Sequence, residues 1–421
     1  MAGYAAGPWR VVVDTKTLCE KADGALPCAP NGRLSLPDQL LQSTRDNSTT
    51  NLVKCTGASC ADIIKQPPPS EAATSNTKGV ILRKSIFTLA IGAALAITAP
   101  AHAQQKYQPE YRLSTVLGTA FPWGKGGERW AELVKEKTQG RINIKMYPGT
   151  SLVACDQTRE FTAIRQGVID LAIGSSINWS PQVKELNLFS LPFLQPDYRS
   201  ADALMAGETG KAIFKAIEKN GVVPLAWGEN GLRELSNSKR EIKTPADMKG
   251  MKFRVVGSPL FNDTFTALGA NPTQMSWADA QPALASGAVD GQENPISVFL
   301  GAKIATVGQK YLTQWGYMND PLIFVVNKKV WESWSKEDQE AVRAAAVQAG
   351  KEEIALARKG LAGSDTSLWK DVEAQGVKVT RPGDAELAEF RKLTRPVYDK
   401  WSKTIGVNLV KKAEAEIAAR K

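Results

Sequence analysis

The feature that most constrains the fold is a strand–helix alternation that occurs twice along the chain. "EYRLSTVLG" (Glu110–Gly118) alternates apolar and polar side chains with the period of a strand. "GGERWAELVKEKTQG" (Gly126–Gly140) then spaces Trp130, Leu133 and Val134 for one helix face and stops at Gly140. "RINIKMYPG" alternates again, and "TREFTAIRQGVIDLAIG" reads as helix, turn and strand. This β-α-β-α-β opening predicts an open α/β sheet. A helix near Ser200–Asn220 and a strand "GVVPLAW" follow, and a second α/β unit begins near Gly231. There "MKFRVVG" predicts a strand, "SPLFNDTFTALGA" a helix, "NPTQMS" a loop and "WADAQPALASG" a helix. "PISVFLGAKIATVGQ" reads as a helix with proline in its first turn, and "LIFVVNK" as a strand apolar on both faces. Two α/β units imply a cleft between them, a favoured place for a ligand. The Ala/Glu/Lys/Arg-rich run from Lys336 to about Lys370 is too long for one lobe and is expected to run across both. The chain after Pro382 is expected to be helical again.

Charge and rare residues narrow the chemistry. The chain carries 53 Lys+Arg against 43 Asp+Glu. The basic residues alternate with acids rather than forming a block, which argues against nucleic-acid binding. Residues 83–103, "RKSIFTLAIGAALAITAPAHA", have a positive start, a short apolar stretch and an Ala101-His102-Ala103 cleavage site. That is the pattern of a bacterial secretory signal peptide. A membrane span needs about 20 apolar residues, and no other stretch is long and apolar enough. The expectation is therefore export to the periplasm of a Gram-negative cell, with residues 80–103 as the signal. Residues 1–79 lack periodicity and are expected to be a disordered extension or an upstream segment outside the true start.

Cys19, Cys28, Cys55 and Cys60 all precede the signal, so Cys155 alone remains after cleavage and no intrachain disulfide is expected there. The only histidine, His102, leaves with the signal. The exported chain thus lacks the His needed for Ser-His-Asp, Cys-His or His-liganded metal chemistry, and no metal or cofactor is expected.

Four residues stand out in the second unit. Arg254 lies in "MKFRVVG" among apolar neighbours, so it is either a buried ion pair or a forked clamp for a ligand carboxylate. Arg233, in "NGLREL", follows a glycine and on its own would be a surface charge. "SWAD" (Ser276–Asp279) fits a capping box, which puts Trp277 at a helix start, facing either the core or the cleft. "GAVDGQENP" (Gly287–Pro295) makes a tight turn at Asp290-Gly291 and offers Asn294 as an N-cap, a corner that could also receive an anion.

"TPADMKGMKFRV", "LGANPTQMSWADAQPALASGAVDGQENP" and the "LREL–SNSKR" turn together resemble the substrate-binding proteins of TRAP (tripartite ATP-independent periplasmic) transporters. The likeness runs from about Tyr111 onward, and residues 1–79 have no counterpart. It implies a two-lobed α/β periplasmic-binding-protein fold of type II-like form, with hinge strands and a long helix spanning both lobes. The lobes would fall at 104–230 (first), 231–319 (second), 320–359 (return to the first and spanning helix) and 360–421 (second lobe and C-terminal helices).

The resemblance also implies roles. Arg254 would pair with the ligand carboxylate, Arg233 and Asn294 would assist, and Trp277 would pack on the ligand. "VACDQTRE" stands where the family has G-x-D-R, so Asp156 or Gln157 would line the cleft, as would Ser175, Asn178 and Trp179. Asp279-Ala280-Gln281 departs from the family's Glu-Val-Tyr and leaves the ligand body open. Trp277, with Trp179 or Trp123, would select that body. The implied function is capture of a small organic acid, mono- or dicarboxylate, by a monomer that is not an enzyme, and its delivery to membrane permease subunits. The rival readings are a binding protein of another transporter or sensor class, and an enzyme on the same fold.

Overall fold

The computed structural model describes residues 107–420. The expected signal peptide and the segment before it lie outside the described residues.

Ten strands form the framework: β1 (Tyr111–Thr115), β2 (Ile144–Tyr147), β3 (Leu171–Ser175), β4 (Val222–Asn237), β5 (Lys252–Val255), β6 (Asn271–Gln274), β7 (Gly291–Pro295), β8 (Tyr311–Thr313), β9 (Asn319–Asn327) and β10 (Lys378–Thr380). The main path runs β2-β1-β3-β9-β4-β7-β5-β6, with β8 pairing β4 and β10. In the first lobe β1 is parallel to β2 and β3, and β9 is antiparallel to β3. In the second lobe β5 is parallel to β6 and β7.

β4 belongs to both lobes. Its 16 residues form one strand, although the glycines at 228 and 231 suggest a break between "GVVPLAW" and a new unit. From Val222 to Leu232 it pairs with β9, and from Arg233 to Asn237 it pairs with β7. β8 continues along the edge that β9 occupies lower down. The ladder skips a residue between Pro224 and Ala226 and again between Glu229 and Gly231. Such bulges bend a strand without ending it. Gly231 sits at φ 125°, which a residue with a side chain rarely adopts, so the second bend requires glycine.

Each lobe buries apolar side chains on both faces of its sheet. On β9, Ile323 and Val325 enter a cluster with Phe161, Trp179, Leu188 and Phe189, while Leu322, Phe324 and Val326 enter another with Leu113, Trp130 and Val342. That is period-two packing of a strand covered on both sides, as its continuous apolar sequence predicts. The second lobe packs Phe253, Val255, Phe261, Phe265 and Trp315 on one face, and Leu284, Val289, Ile296, Phe299 and Trp369 on the other.

The helix crossing both lobes is not the one expected at 336–370. Lys336–Arg358 is a 23-residue helix whose Val342, Ala345, Ala346 and Ala349 all pack into the first lobe. Small residues bring it down on β4: a Cβ at Gly350 would meet the Trp227 carbonyl oxygen at 2.2 Å. The crossing element is Asp384–Ile405, which puts Phe390 in a second-lobe cluster and Tyr398 and Ile405 in a first-lobe cluster. The last helix, Val407–Ala418, returns Val410, Ala413 and Ile417 to the first lobe. Cys155 is buried. The other four cysteines lie outside the described residues.

Candidate functional site

A narrow cleft lies where the two lobes meet at β4. The first lobe contributes Val116, Leu117, Trp123, Gln157, Ser175, Ile177 and Asn178, and the second contributes Arg254, Val256, Trp277, Asn294 and Val298. Asn230, Arg233 and Asp320 come from the strands that join them.

Arg254 is delivered by β5, where its neighbours Phe253 and Val255 enter the second-lobe core and the guanidinium takes the opposite face. The side chain is 1% exposed. Nε and Nη2 donate to the Met275 carbonyl at 3.2 and 3.0 Å, which fixes one edge of the fork. The guanidinium carbon lies 5.8 Å from the centre of the Trp277 ring. Among the described residues no carboxylate forms an ion pair with it. Burial pushes its pKa down to about 10, against the attraction of Glu293. A carboxylate entering the cavity would meet a desolvated cation whose free edge points at it.

Arg233 is buried in the same wall but is already saturated. Its Nε and Nη2 hold the Glu293 carboxylate, Nη2 also donates to the Glu293 carbonyl at 2.8 Å, and Nη1 reaches Asp320 Oδ2 at 3.2 Å. Asp320 in turn accepts from Ser175 Oγ at 2.6 Å and Asn230 Nδ2 at 2.9 Å. Burial raises the Asp320 pKa, and Arg233 opposes that shift. Glu293, Asp320 and Asn230 escaped the sequence reading. Glu293 lies inside the "DGQENP" motif, next to Asn294, but only the pairing of β4 with β7, which sets it opposite Leu235 on the face Arg233 shares, brings it to Arg233.

Asn294 is not a helix cap. It lies inside β7, opposite Glu234, and the six-residue helix Ile296–Gly301 starts after Pro295. Pro295 disfavours helical backbone at Asn294 and is itself extended at ψ 156°, so the strand runs one residue further than a cap would allow. Its amide donates to Gln292 Oε1 and lines the cavity.

Trp277 starts the helix Trp277–Ala285, with Ser276 as N-cap accepting from the Asp279 backbone at 3.2 Å. The ring packs with apolar side chains from both lobes. Its backbone N–H donates 2.9 Å across the cleft to Gln157 Oε1.

In the first lobe the alternatives separate. Gln157 lines the cavity, whereas Asp156 turns away, capping the Gln157–Arg159 turn through Thr158 and pairing with Arg159. Ser175 lines the cavity but spends its hydroxyl on Asp320. Asn178 lines it with its amide making no hydrogen bond to the described residues, and is 4% exposed. Trp179 does not reach the cavity. It is fully buried in the first-lobe core, with Nε1 donating to Glu160 at 3.0 Å, because one residue along the short helix Ser176–Trp179 rotates it away from Asn178. Trp123 is at the cavity wall and donates to the Ile173 carbonyl.

Among the described residues no cluster of His, Cys, Asp or Glu could hold a metal, and no helix is long and apolar enough to cross a membrane.

Residues 113–404 match the family described as bacterial extracellular solute-binding protein, family 7. A solute-binding protein of Verminephrobacter eiseniae is 32% identical over 323 residues, 77% of this chain and 93% of that one. The 2,3-diketo-L-gulonate-binding periplasmic protein of Escherichia coli K12 is 30% identical over 298 residues, 71% of this chain and 88% of that one. Among solved structures, a TRAP periplasmic solute-binding protein of Ralstonia eutropha H16, with bound (S)-2-acetolactate, is 72% identical with a TM-score of 0.74. The match covers 74% of this chain and all of that one.

Proposed function

Since this chain belongs to the bacterial extracellular solute-binding protein family 7, whose TRAP members serve uptake of small organic acids, we propose that Arg254 is its carboxylate clamp. In this reading the lobes 104–230 and 231–319 open about β4 and the run from β8 to β9. The acid's carboxylate meets the free edge of Arg254, and closure shuts out water. In the drier site the attraction between the charges grows as the effective dielectric falls. Gln157, Asn178 and Asn294 offer uncharged hydrogen-bonding groups to the rest of the ligand, and Trp123 and Trp277 pack against it. The closed protein, exported through its signal and acting as a monomer, then delivers the acid unchanged to membrane permease subunits.

The observation that carries the reading is a buried guanidinium that, among the described residues, has no acid of its own and lines the cleft between the lobes. The 72% identical protein holding (S)-2-acetolactate supports an acid of that size as the first to test.

The test is a thermal-shift screen of organic acids followed by calorimetry. A ligand at 100 times its Kd should add about 2.7 kcal/mol of stability. Arg254→Lys, which keeps the charge but loses the fork, should weaken the best acid more than about tenfold, or ~1.4 kcal/mol. Near-native affinity in that variant rejects the clamp. Conversion of the bound acid, seen by mass spectrometry after release, would reject the carrier role.

A further inference from the structure

We infer that the cavity accepts acids with one carboxylate and rejects those with two, because its second guanidinium is already neutralised from within. This deepens the carboxylate reading above and rests on it. Among the described residues three ionisable side chains line the cavity: Arg233, Arg254 and Asp320. Glu293, fully buried, stands behind Arg233 and takes both Nε and Nη2 of its fork. Asp320, 1% exposed, takes Nη1. The formal charges of these four groups cancel, and among the described residues no carboxylate pairs with the guanidinium of Arg254.

A first carboxylate is therefore matched by Arg254. A second would be buried with no unpaired cation to meet it, and Asp320 would be a like charge in the same wall. Losing hydration without gaining a counter-ion is costly for an ion. The remaining polar wall is uncharged: the amides of Gln157, Asn178 and Asn294 suit a hydroxyl or oxo oxygen. The apolar wall of Val116, Leu117, Ile177, Val256 and Val298 suits short branched carbon. The class that fits is a short, branched monocarboxylate carrying an uncharged oxygen.

Two acids on one skeleton provide the test. 2-Hydroxy-2-methylbutanoate and 2-hydroxy-2-methylbutanedioate differ by a terminal methyl exchanged for a carboxylate. Calorimetry on the wild-type protein should show the monoacid binding at least about 100-fold tighter, or ~2.7 kcal/mol. Equal or tighter binding of the diacid overturns the inference while leaving the Arg254 clamp standing. Binding of neither, nor of any acid in the wider screen, overturns both. Glu293→Gln releases one anion from Arg233 and should shrink the preference at least tenfold. An unchanged preference in that variant, with cooperative unfolding showing it is folded, assigns the selection elsewhere and also overturns the inference. If the variant does not fold, the wild-type pair decides.

Discussion

Two arginines share one cavity and live in opposite electrostatic surroundings. Arg233 is held by Glu293 and Asp320, while Arg254 has a backbone carbonyl and an aromatic ring but, among the described residues, no acid. The lesson is that burial alone does not mark a binding residue. A buried charge with its counter-ions holds the framework, and a buried charge without one is a demand that something else can meet. Glu160 in the first lobe is a third case. It is fully buried, and among the described residues its carboxylate has Ser114 Oγ and Trp179 Nε1 as partners and no cation.

The comparison can be broken by removing each charge in turn. Arg233→Met should strand two buried carboxylates and cost about 3–5 kcal/mol of unfolding free energy, read by chemical denaturation. Arg254→Met should abolish acid binding yet leave the ligand-free protein close to wild type in stability, since it strands the Met275 carbonyl but no charge. Equal destabilisation by both would erase the distinction.

Glu160 gives the next largest effect. Burial raises its pKa to about 7, against the two hydrogen bonds that favour the charged form. The folded protein thus holds this proton more tightly than the unfolded chain does. The associated stability is present below about pH 4.5 and is lost as pH rises toward 7, by an amount on the order of 3 kcal/mol. Glu234 is raised to about 7 by burial as well and acts in the same direction. Glu160→Gln should flatten the fall in unfolding free energy across that window, and an unaltered slope would show that Glu160 does not carry it.

The smallest effect concerns the seam between lobes. Gln157→Ala removes the one side-chain bond from the cavity wall to the Trp277 backbone, worth about 1 kcal/mol. Acid dissociation should quicken roughly fivefold in stopped-flow measurements, with the association rate nearly unchanged.

The α/β alternation was legible because period-two and period-3.6 patterns are local. The start of the Trp277 helix was legible too, since its cap is built from Ser276 and Asp279, three residues apart. Arg254 could be singled out because a guanidinium in an apolar strand needs an explanation. Other features depend on partners far away in sequence. The acids of Arg233 lie 60 and 87 residues downstream, so no local pattern tells a saturated arginine from a hungry one. Gln157 and Asp156 are adjacent polar residues, and only the turn geometry sends one inward and the other to a cap. Trp179 looked like a ligand-facing ring because it follows a strand end, yet Gly174 and Glu160 receive it in the core. The crossing helix was misplaced because length is a weak guide to where a helix lies. The apolar residues near both ends of Asp384–Ile405 were the better signal.

The double membership of β4 ties the fate of the two lobes together. Side chains on a ribbon alternate, so a slip of one residue in the first lobe would turn Arg233 out of the cavity in the second and put its neighbour there instead. Neither half can settle its alignment alone. The molecule should therefore melt as one cooperative body, although it works as two jaws.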